Sequence, residues 1–152
     1  MEKELRINTE KYMHGILQVK EIVEEYGERC GKKQMIDFRI KSAKSVADKL
    51  KKKGYAVTFE NAERYLNDLA GVRVICSCEE DVYELGEYLS MREELSVFRR
   101  KDYIKNPKEN GYRSLHLISE VQGICVEIQI RTKEMHSWAR IDHERFYKKL
   151  TN

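Results

Sequence analysis

The amino-acid sequence predicts an α+β fold, in which a mixed β-sheet of about five strands is flanked by helices. Two observations predict this class. Segments with the apolar alternation of strands intermix with segments that have the three-to-four-residue spacing of helices. The chain has 152 residues, 41% of them hydrophobic, which is enough for one domain with a real core. We expect an N-terminal helical segment over residues 1–34 and the main body over residues 35–152.

Helices are predicted to dominate the first half of the chain. Apolar residues recur at helical spacing over 2–30, whereas the alternation over 35–41 is that of a short strand. A helix over 43–53 follows the capping residue Ser42 and ends at a glycine. A further short helix over 58–67 starts at a threonine that can cap it.

Most of the sheet is predicted in the second half. The apolar run 72–77 is typical of a buried strand, and the segment after it, 80–91, has helical spacing. A further strand is expected over 96–101. The last element is a helix over 133–149, in which Trp138 is expected to pack in the core.

A hairpin is predicted around Gln122-Gly123, a dipeptide typical of a two-residue turn, between strands over 113–121 and 124–131. That register places polar residues on one face of the hairpin and apolar residues on the other. The expected cross-strand pairs are Ser114 with Arg131, His116 with Gln129, and Ile118 with Glu127. The apolar face would carry Leu115, Leu117, Val121, Ile124, Val126, Ile128 and Ile130.

Composition excludes several classes of protein. No apolar run approaches the roughly 20 residues that cross a bilayer. The first residues also lack the apolar stretch of a secretory signal, so a cytoplasmic location without a membrane partner is expected. The four cysteines form no CxxC pair, and Cys76 and Cys78 are expected to be buried thiols on one face of a strand.

Positive charge and aromatic rings are concentrated in the loop over 101–116, although the net charge of the chain is only +3. This window of cations predicts a local anionic ligand. The strand after the loop carries a carboxylate, so the two together suit a nucleotide and its phosphates. The cations of the window are Arg99, Arg100, Lys101, Lys105, Lys108 and Arg113.

Two carboxylates are candidates for binding a metal ion. The sequence holds no P-loop, GxGxxG, GxSxG or HExxH motif, and no covalent nucleophile is evident. Asp68 precedes one predicted strand and Glu127 lies in another, so the pair could hold a hard cation such as Mg²⁺. A helix-capping role for Asp68 is equally compatible with the sequence.

A second basic cluster runs from the end of a strand into the start of a helix, a place that suits a polyphosphate. It consists of Arg39, Lys41, Ser45 and Lys49. The lysines over 51–53 are expected to form a solvated helix face instead. In the last helix, His136 and His143 stand seven residues apart, which argues against a shared zinc ion.

Taken in order, these motifs resemble the synthetase domain of the RelA/SpoT family, whose members make guanosine 3′-pyrophosphate alarmones in the stringent response. The similarity covers nearly all of residues 39–147, and the length is that of the small synthetases without a hydrolase domain. The matching stretches are Arg39-Ile40-Lys41-Ser42, Asp68-Leu69-Ala70-Gly71-Val72-Arg73, residues 101–116, Glu127-Ile128-Gln129-Ile130-Arg131-Thr132, and the helix that holds Trp138 and His143.

The resemblance implies a nucleotidyltransferase-like fold and transfer of the β,γ-pyrophosphate of ATP to the 3′-hydroxyl of GDP or GTP, with release of AMP. It implies Asp68 and Glu127 as the catalytic pair and as ligands of Mg²⁺. ATP would be bound by Arg39, Lys41, Ser45, Lys49 and Arg73, with the two arginines on either side of adenine. The guanine nucleotide would be bound by Arg99, Lys101, Tyr103, Lys108, Asn110, Tyr112 and His116, with Tyr112 stacked on the base. Gln129 and His143 would be secondary members of the site.

Two other functions stay open from the sequence. One is a related enzyme that transfers pyrophosphate to the 3′ end of tRNA, whereas the leading function involves no nucleic-acid partner. The other is a catalytically silent nucleotide- or RNA-binding module, whose mark would be the loss of Asp68 or Glu127; both are present. Since a metal-bound carboxylate is a weak base, Glu127 is expected chiefly to bind the cation and orient the hydroxyl. The assembly state is open, with a homo-oligomer as one option.

Overall fold

The structure, a computed structural model, describes the backbone of residues 1–151 and the side chains of residues 1–142. Strands and helices intermix along the chain as the sequence predicts. The elements are α1 (Glu2–Ile7), α2 (Thr9–Cys30), β1 (Met35–Ile40), α3 (Ala43–Lys53), α4 (Phe59–Tyr65), β2 (Ala70–Cys76), α5 (Glu79–Ser90), β3 (Ser96–Asp102), β4 (Leu115–Val121), β5 (Ile124–Thr132) and α6 (Lys133–Thr151).

The five strands form one mixed sheet in the order β1-β2-β5-β4-β3. β2 and β5 are parallel neighbours, and the other neighbours are antiparallel. Parallel neighbours need a long crossover connection, and here α5, β3 and β4 intervene between them. The predicted α+β class with a mixed sheet is therefore confirmed.

One face of the sheet is apolar and is covered by α2 and α5. Ile16 and Leu85 of these helices are fully buried, as are Leu117 and Ile128 of the strands. Burial of each such side chain contributes about 1.5–3 kcal/mol. The helix packs closely at Gly15, where an added Cβ would stand 2.8 Å from a methyl group of Ile124. The predicted apolar residues of the hairpin all lie in this core.

The opposite face of the sheet is polar because side chains alternate along each strand. The register places Arg73 of β2 beside Gln129 of β5, and His116 of β4 opposite the same Gln129. On the outer strands, Arg39 lies opposite Gly71 and Lys101 lies opposite His116. This polar face, which extends across all five strands, positions the candidate site.

The hairpin has the predicted two-residue turn. Gln122 and Gly123 both have positive φ, 49° and 78°, as a type I′ turn requires. The pairs of His116 with Gln129 and of Ile118 with Glu127 are as predicted. Because β4 begins at Leu115, the expected partnership of Ser114 with Arg131 lies one step beyond the paired residues.

Two predictions about helices need revision. The N-terminal helix is interrupted at Asn8, whose side-chain amide donates to the carbonyl oxygen of Glu4 at 2.7 Å. Asparagine competes with the helical backbone in this way. Trp138 was expected in the core, but it is 37% exposed and its ring lies against Gly111. Its position on α6 faces a surface loop rather than the sheet.

The prediction of two buried thiols is half correct. Cys76 is buried at the end of β2, whereas Cys78 is exposed. β2 ends at Cys76, and Cys78 is the N-cap residue of α5, so it no longer follows the alternation of the strand. Within the described part of the chain, no helix is long and apolar enough to cross a membrane.

Candidate functional site

Asp68 and Glu127 line one cavity on the polar face of the sheet, beside β1, β2 and β5. The fold brings them together because β2 and β5 run parallel, with Gly71 in register with Glu127. Asp68 stands just before β2, so its carboxyl group reaches the same edge. Gly71 carries no side chain that could fill the space between the two. The cavity is lined by Asp37, Phe38, Arg39, Asp68, Gly71, Val72, Arg73, Glu127 and Gln129.

Asp68 is held by two lysines. Its Oδ2 accepts hydrogen bonds from Nζ of Lys41 at 3.0 Å and from Nζ of Lys49 at 2.9 Å. Burial by itself would raise the pKa of Asp68, but the hydrogen bonds from Lys49 and Lys41 outweigh it and leave that pKa below its ordinary value. The carboxylate is therefore ionised. Asp68 caps no helix in the described part of the chain, which removes the alternative role.

The other carboxylate oxygen of Asp68 fits a metal ion. Its Oδ1 is buried and has no hydrogen-bond partner among the described residues. A buried acceptor of this kind is unfavourable unless a ligand satisfies it. Glu127 supplies a second carboxylate in the same cavity. Among the described residues no group of three or more His, Cys, Asp or Glu could hold an ion. Two carboxylates are a ligand set that a hard cation completes with phosphate oxygens.

Glu127 is oriented by its neighbour on the same face of β5. Its Oε1 accepts a hydrogen bond from Nε2 of Gln129 at 2.8 Å. A carboxylate oxygen cannot donate, so the NH₂ group of Gln129 must point at Glu127 and its carbonyl oxygen must point away. Gln129, which the resemblance implies as a secondary member of the site, therefore contacts Glu127 directly.

Arg39 and Arg73 both line the cavity and lie on neighbouring strands. Arg73 Nη1 is 3.6 Å from Oδ2 of Asp37, and its buried Nε has no partner among the described residues. Asp37 was not singled out from the sequence, although the alternation over β1 places it on the same face as Arg39. Ser45 lies in the first turn of α3, where its backbone N–H donates to the side chain of Ser42 at 3.2 Å.

An aromatic cluster occupies the other half of the polar face. Nζ of Lys108 lies 4.9 Å from the ring centroid of Tyr103 and 5.1 Å from that of Tyr112, so it rests on both ring faces. The ring of His116 is 5.1 Å from that of Tyr103, edge to face. We call Tyr103, Lys108, Tyr112 and His116 the aromatic side of the site, and Lys41, Lys49 and Asp68 its lysine–aspartate side.

His116 is neutral in this setting. Only 8% of it is exposed. Burial, followed by the positive charges of Lys108, Lys101, Arg131 and Lys49, lowers the pKa of His116 to about 3. At neutral pH its imidazole therefore offers one N–H donor and one acceptor.

The loop that carries the aromatic side is ordered by short polar contacts. Oδ1 of Asp102 accepts from the backbone N–H groups of Ile104 and Lys105, each at 3.0 Å. Oδ1 of Asn110 accepts from the N–H of Tyr112 at 3.0 Å. Gly111 follows with φ of 93°, a conformation that favours glycine. Asn110 thus shapes the turn, beside any contact it makes with a ligand.

The cationic window of the sequence is divided between two surfaces, so only some of its cations face the candidate site. Arg99 and Lys101 project from the polar face of β3, and within the described part of the chain neither forms an ion pair. Arg100 and Arg113 instead pair with Glu87 and Glu79 of α5, at 3.0 and 2.7 Å. The alternation along β3 sends Arg100 to the opposite face.

Arg131 is a buried cation at the edge of the site. It is 3% exposed, and its Nη2 lies 2.8 Å from Nδ1 of His136. Its Nε has no partner among the described residues. The predicted hairpin placed Arg131 on the polar face, but nothing in the sequence indicated its burial. The side chain of His143, inferred as a secondary member of the site, lies outside the described side chains.

Comparison with known proteins shows similarity over most of the chain. A family model described as a region found in RelA / SpoT proteins matches residues 38–152. GTP pyrophosphokinase YwaC of Bacillus subtilis (strain 168) is 43% identical to this chain over 118 residues, which make up 72% of the chain. The chain spans 56% of the length of that relative.

Two crystal structures have the same fold. Small alarmone synthetase 2 from Bacillus subtilis aligns with a TM-score of 0.82 at 32% identity, covering 99% of this chain and 82% of that one. Small alarmone synthetase 1 from Bacillus subtilis, bound to its product pppGpp, aligns with a TM-score of 0.83 at 28% identity, covering 100% of this chain and 84% of that one. The five-stranded mixed sheet is the fold of the small alarmone synthetases.

Proposed function

Because the chain belongs to the RelA/SpoT family, we propose that it is a GTP pyrophosphokinase, which transfers the β,γ-pyrophosphate of ATP to the 3′-hydroxyl of GDP or GTP. One observation carries this proposal. Asp68 and Glu127 line one cavity together with Arg39 and Arg73, and Gln129 of the same cavity lies opposite His116 of the aromatic side. Such a cavity suits two nucleotides that meet at a shared cation.

The donor ATP would occupy the part of the cavity beside β1, β2 and α3. Arg39 and Arg73 present planar guanidinium groups from neighbouring strands, which suits stacking on adenine. Lys41 and Lys49 both contact Asp68, which lines the cavity, and their ammonium groups would bind the phosphates. Ser45, in the first turn of α3, is a weaker phosphate ligand because its backbone N–H is already bonded.

The acceptor nucleotide would occupy the aromatic side. The ring of Tyr112 would stack on guanine, close to the turn shaped by Asn110. His116, being neutral, would offer a hydrogen bond rather than a charge to the sugar. The positive charge would come from cations on this half of the polar face, namely Arg99, Lys101 and Lys108.

Asp68 and Glu127 would hold the divalent cation, which we propose to be Mg²⁺. When bound, such an ion neutralises the negative charge of the phosphate oxygens that change partners. The buried Oδ1 of Asp68, which has no hydrogen-bond partner among the described residues, supports this assignment.

The chain would then act mainly by positioning. The 3′-oxygen of the acceptor bonds to the β-phosphorus of ATP, the bond from that phosphorus to the α,β-bridging oxygen breaks, and AMP leaves with the bridging oxygen. The proton of the hydroxyl passes to solvent. Because such transfers have a loose transition state, orientation and charge neutralisation matter more than a strong base. Glu127 would therefore orient the 3′-hydroxyl as well as bind the ion.

A labelling assay tests the proposal. The protein is incubated with γ-labelled ATP, Mg²⁺ and one acceptor, and we expect label to move to GDP or GTP. Glu127→Gln should abolish transfer, whereas Glu93→Gln, which alters an exposed carboxylate outside the site, should leave it intact. Label on deacylated tRNA alone would favour the tRNA-modifying alternative. ATP binding without transfer to any acceptor would favour a binding module.

A further inference from the structure

The hydroxyl group of Tyr112 lies at the centre of a hydrogen-bond network. Ser114 Oγ donates to it at 2.9 Å, His116 Nε2 lies 2.9 Å away, and Oε1 of Gln129 lies 3.5 Å away. Ser114 is fully buried and His116 nearly so. A phenol has one proton to donate and can accept two hydrogen bonds. Three neighbours therefore satisfy this hydroxyl completely if one of them accepts and two donate.

The direction of each bond follows from Glu127. Since the NH₂ group of Gln129 must point at the carboxylate of Glu127, only its carbonyl oxygen remains for Tyr112. That oxygen can accept but cannot donate, so the hydrogen bond between the two residues uses the Tyr112 proton. His116 must then present its Nε2–H to the tyrosine oxygen, which fits its neutral state. If Tyr112 instead donated its proton to His116 Nε2, the carbonyl oxygen of Gln129 would have no donor in this network.

We propose that Gln129 is a positioning residue that connects the hydroxyl of Tyr112 to the carboxylate of Glu127. The chain of bonds runs from His116 Nε2–H to Tyr112 Oη, from Tyr112 O–H to Gln129 Oε1, and from Gln129 Nε2–H to Glu127 Oε1. It fixes the rotation of the Glu127 carboxylate and occupies Oε1. The second oxygen, Oε2, would then be left to bind the cation and to orient the acceptor hydroxyl.

Tyr112 consequently has two separable roles in the proposed reaction, on which this inference rests. Its ring face would bind the acceptor base, and its hydroxyl would set the orientation of a residue that holds the ion. Register makes the connection short, because His116 and Gln129 are direct cross-strand partners. Binding of a base on the ring would therefore be communicated to Glu127 through two hydrogen bonds.

Kinetics of near-isosteric variants test the connection. Tyr112→Phe keeps the ring and removes the hydroxyl, and Gln129→Met keeps the length and removes the amide. Each should lower kcat by about 10- to 100-fold, the usual effect of losing a residue that orients a metal ligand, with little change in the KM of GDP. The double variant should be no slower than the worse single variant, because both substitutions break one chain. Tyr55→Phe, on an exposed ring away from the site, is the matched control.

Two measurements do not depend on turnover. In ¹⁵N NMR spectra of the unliganded protein, His116 should carry its proton on Nε2, with the signal assigned by its loss in His116→Asn. Mn²⁺ affinity, followed by electron paramagnetic resonance, should fall about 10-fold or more in Tyr112→Phe and Gln129→Met.

The outcomes separate the inference from the proposed function. An Nδ1–H tautomer at His116, multiplicative effects in the double variant, or a Tyr112→Phe enzyme with unchanged kcat would each overturn the connection. If the wild-type protein transfers no pyrophosphate, yet the tautomer and the loss of Mn²⁺ affinity are as expected, the proposed function fails and the positioning role stands.

Discussion

The two halves of the site handle charge in opposite ways. On the lysine–aspartate side, both ammonium groups are already paired with one carboxylate oxygen, that of Asp68. On the aromatic side, Lys108 rests on the rings of Tyr103 and Tyr112 and, within the described part of the chain, has no acidic partner. In the first half one carboxylate offsets part of the charge of the two lysines, whereas the second half holds positive charge that no carboxylate among the described residues offsets.

This difference indicates how each half would receive its nucleotide. When phosphates and a cation bind on the lysine–aspartate side, the lysines would turn from Oδ2 of Asp68 to phosphate oxygens, and an ion on Oδ1 would replace their positive charge beside the carboxylate. The aromatic side needs no such exchange. We therefore expect binding of ATP and binding of the divalent cation to depend on each other, and binding of the acceptor to depend mainly on ring stacking and on unpaired cations.

The largest effect is expected from Asp68→Asn. This change removes one ligand of the ion and leaves two partly buried lysines without their carboxylate, so transfer should fall by about 100- to 1,000-fold, as for loss of a group that stabilises charge in the transition state. Steady-state rates with GDP measure it. If the variant keeps more than a tenth of wild-type activity, Asp68 has no essential role in the transfer.

The same ion pairs should make stability depend on pH. The pKa of Asp68 is lower in the folded chain than its ordinary value of about 3.9. Such a group stabilises the folded state above about pH 3.9, and this contribution is lost as the pH falls through the lower folded pKa. The difference in Tm between wild type and Asp68→Asn should therefore shrink between about pH 5 and pH 2. A difference that is constant over this range would contradict the ion pairs.

The aromatic side is tested by Tyr112→Ala. Loss of the ring should raise the KM of GDP by about 5- to 150-fold, which corresponds to the 1–3 kcal/mol of base stacking on an aromatic side chain. The KM of ATP should change little, because Tyr112 does not line the cavity beside β1 and β2. Equal increases in both KM values would mean that the two halves do not bind separate nucleotides.

Much of the polar face could be predicted from the sequence, because side chains along a strand alternate between the two faces of a sheet. Once Gln122-Gly123 is recognised as a two-residue turn, alternation dictates that His116, Glu127 and Gln129 share a face. The helix from Ala43 to Lys53 could be delimited for a similar reason, since its cap and its terminal glycine act locally.

What the sequence could not predict depends on contacts between distant segments. The pairing of Lys41 and Lys49 with Asp68 requires α3 to lie beside the start of β2. Arg100 and Arg113 leave the cationic window because α5 offers glutamates to them. Local patterns carry no information about either arrangement.

A smaller and more diagnostic effect is expected from Lys41→Met. Removing this ammonium group should weaken binding of a non-hydrolysable ATP analogue by about 10-fold, typical of a charged hydrogen bond. It should strengthen binding of Mn²⁺ alone, because a positive charge that competes for Asp68 is gone. Titration calorimetry measures both. A change of both affinities in the same direction would contradict the proposed exchange of partners.

The smallest effects should distinguish neighbouring cations on β3. Lys101→Gln should raise the KM of GDP several-fold, because Lys101 projects from the polar face beside His116. Arg100→Gln should leave the KM within about twofold, because Arg100 is paired with Glu87 and the loss of an exposed ion pair has little effect. If the two variants behave alike, the division of the cationic window is wrong.

The most direct measurement is a crystal structure of the protein with Mn²⁺ and a non-hydrolysable ATP analogue, using the anomalous signal of the metal. We expect a single peak at about 2.1 Å from an oxygen of Asp68 and an oxygen of Glu127, with the ammonium groups of Lys41 and Lys49 moved onto phosphate oxygens. A metal bound by neither carboxylate, or two separate peaks with one at each carboxylate, would contradict a single ion held between the two halves of the site.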